Sequence, residues 1–531
     1  MTAGVGRAAR LVLVAALATG LLGACGNANG SADPNAPTTL NVLAGSEVKD
    51  LVPLLPDIKA ATGVSLVMSY SGTLEGAEAI SGGAATDVAW FSSGNYLSLL
   101  PGAGSRVVAQ QQIMLSPVVI GVKKSVADRF GWTNNPNVTW KDIEAKSADG
   151  SFKFAMTNPA ASNSGLVALI GVASALSGSS DSIDTGTIDK TALRAFFKGQ
   201  ALTAGSSGFL ADSYVRDQDT VDGIVNYESI LMTLNAGGKL HEPLELVYPK
   251  EGIVTADYPF MLLNAAKRDA WDKVTTYLRT PDVQKRIMTD TLRRPAVPGV
   301  PLDPRFSTQA LIELPFPAKL DTIDALITAY LDEVRRPATA IFVLDLSGSM
   351  AGDRLDQLKA AMNALTGTDQ SLTGRFARFR SREQVTIITF STDVLETREF
   401  TIDDTAPTGP DMSAIRDYVN GLHTYSSTAI YSGLEAAYAA VQQAQAVDAS
   451  RLYSIVLMTD GINNSGVKPE AFVSDYNALP APVKAVHTYT VLFGDGSADA
   501  MNSIASETGG TVFNAQSTSL QTIFKQIRGY Q

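Results

Sequence analysis

Asp345, Ser347 and Ser349 place three hard oxygen groups at every second position of "FVLDLSGSM", residues 342–350. An apolar run precedes them, and "RLDQLKAAMNALTG" (354–367) follows as a helix. A loop between a buried strand and a helix lies at the C-terminal edge of a parallel sheet, where open α/β sheets place their sites. Two further stretches bring matching groups to that edge. "YSSTAIYSGLEAAYAAVQQA" (425–444) reads as a helix with Thr428 at its start, and the buried strand "LYSIVLMTDG" (452–461) delivers Asp460. All five groups offer oxygen and none offers nitrogen or sulfur, so an ion held here is Mg²⁺, Mn²⁺ or Ca²⁺ rather than zinc. The other reading of the same residues is capping: Ser349 and Thr428 as helix N-caps, Asp345 as a loop acceptor, and no ion. At a solvated sheet edge, salt screens the two carboxylates from each other.

Catalysis has less support. The histidines are His241, His423 and His487, and neither a Gly-x-Ser-x-Gly elbow nor a cysteine nucleophile accompanies them. The expectation is a non-enzymatic protein. "DQDTVDG" (217–223) fails as a calcium loop, because its Gly comes one place late and Val221 holds position five. Formal net charge is −11, with no basic stripe interleaved with aromatics, which argues against nucleic acid as a partner.

The elements that must position these groups fall into regions of different rhythm. Residues 39–310 alternate short apolar runs with helical stretches: "TLNVLAG" and "VSLVMSYSG" as strands flank the helix "VKDLVPLLPDIKAATG", and "DVAWFSSG" follows as another strand. That order predicts a parallel α/β sheet. Residues 311–337 connect the two regions. Leu320, Ile323, Leu326, Ile327, Tyr330, Leu331 and Val334 make one apolar stripe there, and Pro337 ends it. The strand "ATAIFVLDLS" begins at once, so the two regions should be mechanically coupled. Residues 338–531 form the last region.

At the N-terminus Arg7 and Arg10 precede "LVLVAALATGLLGA" (11–24), which is short for a membrane span and suited to a signal-peptide core. It runs into "LLGAC", which resembles a bacterial lipoprotein signal. The resemblance implies a signal peptide over 1–24 and lipidation of Cys25, with 25–38 as a flexible tether at the extracytoplasmic face of the cell membrane. An ordinary secretory signal beside a bystander cysteine is the alternative. Cys25 is the chain's one cysteine, so no disulfide forms within it.

On the motif residues above, 338–531 resembles a von Willebrand factor A-type domain, a doubly wound Rossmann-like sheet. Asp345, Ser347, Ser349, Thr428 and Asp460 match its metal-ion-dependent adhesion site. The closing order "AVHTYTVLFG", "MNSIASETGGTVFNA", "SLQTIFKQI" also fits. Ser427 stands where that family usually has Gly. The resemblance implies a cation that keeps much of its charge among neutral hydroxyls and accepts an acidic side chain from a partner protein.

Residues 39–310 resemble a bacterial extracellular solute-binding protein of the two-lobe periplasmic type. The features that carry this are "LNVLAGSEVKDLVPLL", "TDVAWFSS", "SPVVIGVKKS" and the return "LVYPKEGIVTADYPFMLL". The matching positions for a small solute between the lobes are Ser46, Ser71, Thr73, Ser92, Ser93, Asn158, Ser162, Ser164, Tyr227 and Glu228. Two functions follow: an adhesion-type surface protein, or the solute receptor of an ABC importer with an accessory interaction domain.

Overall fold

The strand Ala338–Asp345 is buried at all eight positions. Ala340, Phe342 and Leu344 enter one apolar cluster, while Ile341 and Val343 enter another. Successive side chains point to opposite faces, so a strand covered on both faces reads as a continuous apolar run. It is central in a six-stranded sheet ordered Val394–Thr401, Gln384–Phe390, Ala338–Asp345, Leu452–Thr459, Thr488–Leu492, Val512–Asn514. The edge strand Val394–Thr401 is antiparallel and the other pairings are parallel. This is the expected doubly wound sheet, and its C-terminal edge carries Asp345 and Asp460.

This computed structural model describes residues 38–178, 182–494 and 497–531. The expected signal peptide, Cys25 and the expected tether as far as Pro37 lie outside the described residues. Thr38–Gln531 packs as one unit. Before the six-stranded sheet come two lobes, each with its own sheet. The first lobe orders Val64–Ser71, Thr38–Gly45, Val88–Trp90, Pro259–Leu262, Ala109–Gln112. The second is built on the long strand Met114–Lys123, beside Gly223–Tyr227, Phe154–Met156 and Gln200–Leu202.

Both lobe sheets are mixed rather than parallel. The chain crosses between lobes at Gln112–Met114 and returns at Ala256–Pro259, so the returning strand Pro259–Leu262 runs antiparallel to its neighbours. Gln112 Nε2 donates to Asp257 Oδ2 at 2.9 Å, tying the two crossings together. Tyr258, on the return crossing, has φ 41°, a conformation costly for a bulky residue.

The apolar stripe of the connecting segment forms the helix Leu320–Ala329, continued by one wider turn over Tyr330–Val334. Beyond it, Glu383 is buried between Arg335 and Arg528. This cluster joins the connecting segment to the C-terminal helix Leu520–Arg528. Leu520, Ile523, Phe524 and Ile527 bury one face of that helix, and Ser519 caps it by accepting the Thr522 N–H. Its other face carries Thr522, Lys525 and Gln526 to the mouth of the cleft between the lobes, where a cavity of about 400 Å³ remains.

Candidate metal site and solute cleft

Four of the five expected metal-site residues form one hydrogen-bonded chain. Asp345 Oδ1 accepts the Ser347 N–H at 2.7 Å. The Ser347 and Ser349 hydroxyls lie 3.1 Å apart, and Ser349 donates to Asp460 Oδ1 at 2.7 Å. Thr428 joins them through Gly461: a side chain at 461 would meet the Thr428 hydroxyl, with its Cβ only 3.1 Å away. The Thr428 main chain is fixed by Asn464, whose Oδ1 accepts its N–H at 2.8 Å.

Helix capping does not explain Ser349 or Thr428, although Asp345 is a loop acceptor, its Oδ1 taking the Ser347 N–H. The helix expected to begin at Thr428 begins at Ile430, and its N-cap position is Ala429, without a side-chain cap bond. The helix after the first loop is Asp353–Asn363, with Gly352 at its N-cap position. Nor does Thr428 come from a strand end. It lies between the helices Pro410–Asn420 and Ile430–Val447, and Gly348 N–H donates to Ser426 O to bring that connection against the first loop. The substitution of Ser427 for Gly is accommodated. Among the described residues the non-glycine positions of positive φ are Asn134, Tyr258, Leu292 and Arg382, so the backbone at 427 does not need glycine.

The two carboxylates are buried, not solvated as the sequence suggests. Burial pushes the Asp345 carboxyl up to about 6 against hydrogen bonds from Thr459 and Ser347 that favour its charge, and the nearby Asp460 adds to the rise. Two groups that the sequence reading passed over stabilise the pair. Thr459 donates to Asp345 Oδ2 at 2.5 Å, and Arg354 Nη1 lies 2.5 Å from Asp460 Oδ2. Thr459 stands next to Asp460, and Arg354 is in the first turn of the helix Asp353–Asn363 after the first loop. Among the described residues no group of three or more His, Cys, Asp or Glu could hold a metal. The set here is different in kind: two carboxylates with three hydroxyls. The oxygen-only donors, converging from three segments, fit a hard divalent cation. Ser349 is exposed, which leaves the outer side of the set open to a partner.

In the cleft, the hydroxyls gather around the N-terminus of the buried helix Asn163–Ser177. Tyr227 donates to Ser92 Oγ at 2.9 Å and accepts from Asn163 Nδ2 at 3.1 Å. Burial raises the Tyr227 hydroxyl well above its ordinary range, so it remains a neutral donor. Ser164 lies 3.2 Å from Ser162, 2.9 Å from Thr157 and 2.7 Å from Ser207. Asn163, Thr157 and Ser207 are absent from the sequence-based set; isolated polar residues at strand and helix ends carry no distinguishing signal.

The remaining expected residues are placed differently. Ser46, Ser71 and Asn158 line the cavity at the cleft mouth, and Asn158 Nδ2 donates to Arg528 O of the C-terminal helix at 3.3 Å. Thr73 is buried at the start of the helix Thr73–Ser81, and Ser93 Oγ accepts the Asn95 N–H. Both oxygens of Glu228 are taken by Arg294, at 2.7 and 2.8 Å, and Tyr248 also donates to one of them at 2.6 Å. Glu228 therefore serves an internal ion pair.

A two-lobe clamp followed by a doubly wound sheet with an oxygen-only edge site defines a chain of two binding modules. Residues 40–290 match the family described as bacterial extracellular solute-binding protein, and residues 341–526 match the von Willebrand factor type A domain. Domains of the second kind commonly bind a divalent ion at this edge. Among solved structures, the sulfate-binding protein SubI from Mycobacterium tuberculosis H37Rv is similar at 19% identity and TM-score 0.39, over 54% of this chain and 96% of that one. The periplasmic binding protein AfuA from Actinobacillus pleuropneumoniae is similar at 15% identity and TM-score 0.42, over 56% and 99%. A von Willebrand factor type A structure from Catenulispora acidiphila is similar at 16% identity and TM-score 0.30, over 37% and 43%. No curated protein matches. Among the described residues no helix is long and apolar enough to cross a membrane.

Proposed function

We propose that this chain is a non-enzymatic binding protein, lipid-anchored through Cys25 at the extracytoplasmic face of the cell membrane. Its von Willebrand factor A-type domain grips an acidic side chain of a partner protein through a divalent cation, Mg²⁺ in the first place, or Mn²⁺ or Ca²⁺. Asp345, Ser347, Ser349, Thr428 and Asp460 hold the ion. Neutral hydroxyls leave it a large share of its charge, which is what an incoming carboxylate requires. The clamp holds a small solute. The observation that supports the reading is the convergence of Asp345, Ser347, Ser349 and Asp460 in one hydrogen-bonded chain with Thr428 beside it, where neither Ser349 nor Thr428 is a helix cap.

Calorimetric titration of the full chain with MgCl₂ tests it. Uptake of one ion per chain at or below millimolar concentration is expected, reversed by chelator. Heats equal to dilution for Mg²⁺, Mn²⁺ and Ca²⁺ alike would refute the metal site.

The anchor has its own test. Cys25→Ser is expected to shift the protein from the membrane fraction to the culture fluid, or to leave it as uncleaved precursor. Fractionation followed by intact-mass measurement decides this. A variant that stays membrane-bound with a normally cleaved signal would exclude lipidation as the anchor.

A further inference from the structure

The metal-site domain does not hang beside the clamp; it lies across the clamp's mouth and touches the two lobes in different ways. Its contact with the second lobe is mainly apolar, with Asn158 Nδ2 also donating to Arg528 O. Leu210, Tyr214 and Leu231 of that lobe share one cluster with Phe524, Ile527 and Tyr530. Gly529 and Gly205 pack so closely that a Cβ on Gly529 would lie 2.8 Å from the Gly205 Cα. At the rim of this contact His487 Nε2 is 3.1 Å from Asp217 Oδ2.

Its contact with the first lobe centres on one carboxylate. Glu78, half-buried on the helix Thr73–Ser81, accepts the Leu372 N–H at 2.6 Å, the Thr373 N–H at 3.2 Å and the Thr373 hydroxyl at 2.6 Å. Phe376 supplies a small apolar foot in the cluster that also holds Tyr96 and Leu97. The lobes themselves are linked at the paired crossings, where Tyr258 has positive φ. Large φ/ψ changes at a few such residues are how two-lobe clamps open.

We propose that the von Willebrand factor A-type domain is the clamp's lid, fixed to the second lobe and latched to the first through Glu78, so that the cleft opens only when this latch releases. The proposal rests on reading residues 39–310 as a solute clamp, and it names the regulation of that site. A shared apolar cluster on one side, against one hydrogen-bonded carboxylate with the small apolar foot of Phe376 on the other, makes the Glu78 side the one that parts first. Backbone N–H groups 372 and 373 regain water as partners on opening, whereas exposing the shared apolar cluster has no such compensation. The lid also ties the two modules together. A partner that pulls on the metal-site domain bears on the latch, and a first lobe displaced by solute bears on the residues 371–378.

Hydrogen exchange of the full chain, without added solute, tests the lid. In the unsubstituted protein, amides in 73–81 and 371–379 should exchange faster than those in 206–216 and 520–530. Glu78→Ala should raise exchange at least tenfold at the latch and also at the cleft floor, 162–166 and 225–229, while 206–216 and 520–530 keep their protection. Thr373→Val, made from the opposite side and removing one of the three bonds, should shift the same segments by a smaller factor and guards against a folding defect in Glu78→Ala. Unchanged exchange at the cleft floor in both variants would overturn the lid, as would equal loss of protection at the second-lobe contact. The readout uses no solute. A clamp that binds nothing therefore fails a separate solute screen and leaves this result intact.

Discussion

Asp345→Asn is expected to abolish divalent-ion uptake and to leave the ion-free protein at least as stable as the unsubstituted chain at neutral pH. These two effects usually oppose each other in a buried carboxylate, and here burial aligns them. The Asp345 carboxyl is pushed up to about 6 from an ordinary value of 3.8. The native state therefore binds more protons than the unfolded state between about pH 4 and 6. Stability from this group is fully present below the unfolded value and is lost as pH rises through the native one. A shift of about two units corresponds to roughly 3 kcal/mol held against the ionised form at pH 7.

Asparagine removes that charge. It also weakens the bonds from the Ser347 N–H and the Thr459 hydroxyl, at a cost of about 1–2 kcal/mol. The expected net is a gain of about 1–2 kcal/mol at pH 7, from these opposing terms. Urea unfolding in chelator at pH 7.5 and pH 5 checks it. The unsubstituted chain should be more stable at the lower pH by this contribution, and Asp345→Asn should lack it. Equal pH dependence in both proteins would show that Asp345 is not the group responsible. Ion uptake by the unsubstituted chain should weaken below about pH 6, as protons compete for the same oxygens. A variant that still takes up Mg²⁺ with unchanged affinity would remove Asp345 from the ion's surroundings.

The parts of this site that are legible in the sequence are the local ones. Asp345, Ser347 and Ser349 lie within five residues behind an unbroken apolar strand, and Asp460 closes a second such strand, so both could be placed at one sheet edge. Thr428 is harder. It sits on a connection between two helices, and the apolar spacing of "AIYSGLEAAYAAV" continues back past the true helix start at Ile430. Periodicity does not show where the backbone leaves the helix, because Thr428 and Ala429 are buried by the neighbouring loops rather than by the helix itself. Burial of the acids was not legible either. It depends on the loop at Gly461–Ser465 folding onto Thr428, which local pattern does not encode.

The lid contact is illegible for a further reason. Glu78 and Thr373 are 295 residues apart, and each reads alone as an ordinary polar residue on a surface. The same holds for Gly205 and Gly529. Glycine in a sequence usually signals a turn, but these two make room for each other's backbone. The short join at Pro337 does announce that the regions are coupled, without saying which faces meet.

Glu383→Ala is expected to have the largest effect on stability of any single change at the domain junction, a loss of about 3–5 kcal/mol. Glu383 accepts from Arg528 Nη2 at 2.7 and 2.8 Å, from the Arg380 N–H at 3.0 Å and from Arg335. All three charged side chains are almost wholly buried. Removing the carboxylate leaves two guanidinium groups close together in a low-dielectric interior, and it is this orphaned charge rather than the lost attraction that costs most. A domain stable by about 5–15 kcal/mol would lose a large share of its margin.

The double variant Glu383→Ala with Arg528→Leu separates the causes. It should recover part of the loss, although the Ala377 and Arg378 carbonyls then lose a donor. If the double variant is less stable than Glu383→Ala by the full additive amount, the charge argument fails. Acid gives an independent check of opposite sign to Asp345. Burial raises the Glu383 carboxyl, but the charges of Arg528 and then Arg335 outweigh it and hold the group below the ordinary glutamate range. Its contribution is therefore present above the unfolded value near 4.5 and is lost as pH falls through the lower native value. Acidification from pH 7 to 5 should stabilise the chain through Asp345, and further acidification should destabilise it through Glu383. Denaturant midpoints across that range, at constant m-value, should pass through a maximum near pH 4–5 in the unsubstituted chain, with a shallower acid limb in Glu383→Ala, because other carboxyls held low, such as Asp369 and Asp217, keep part of it.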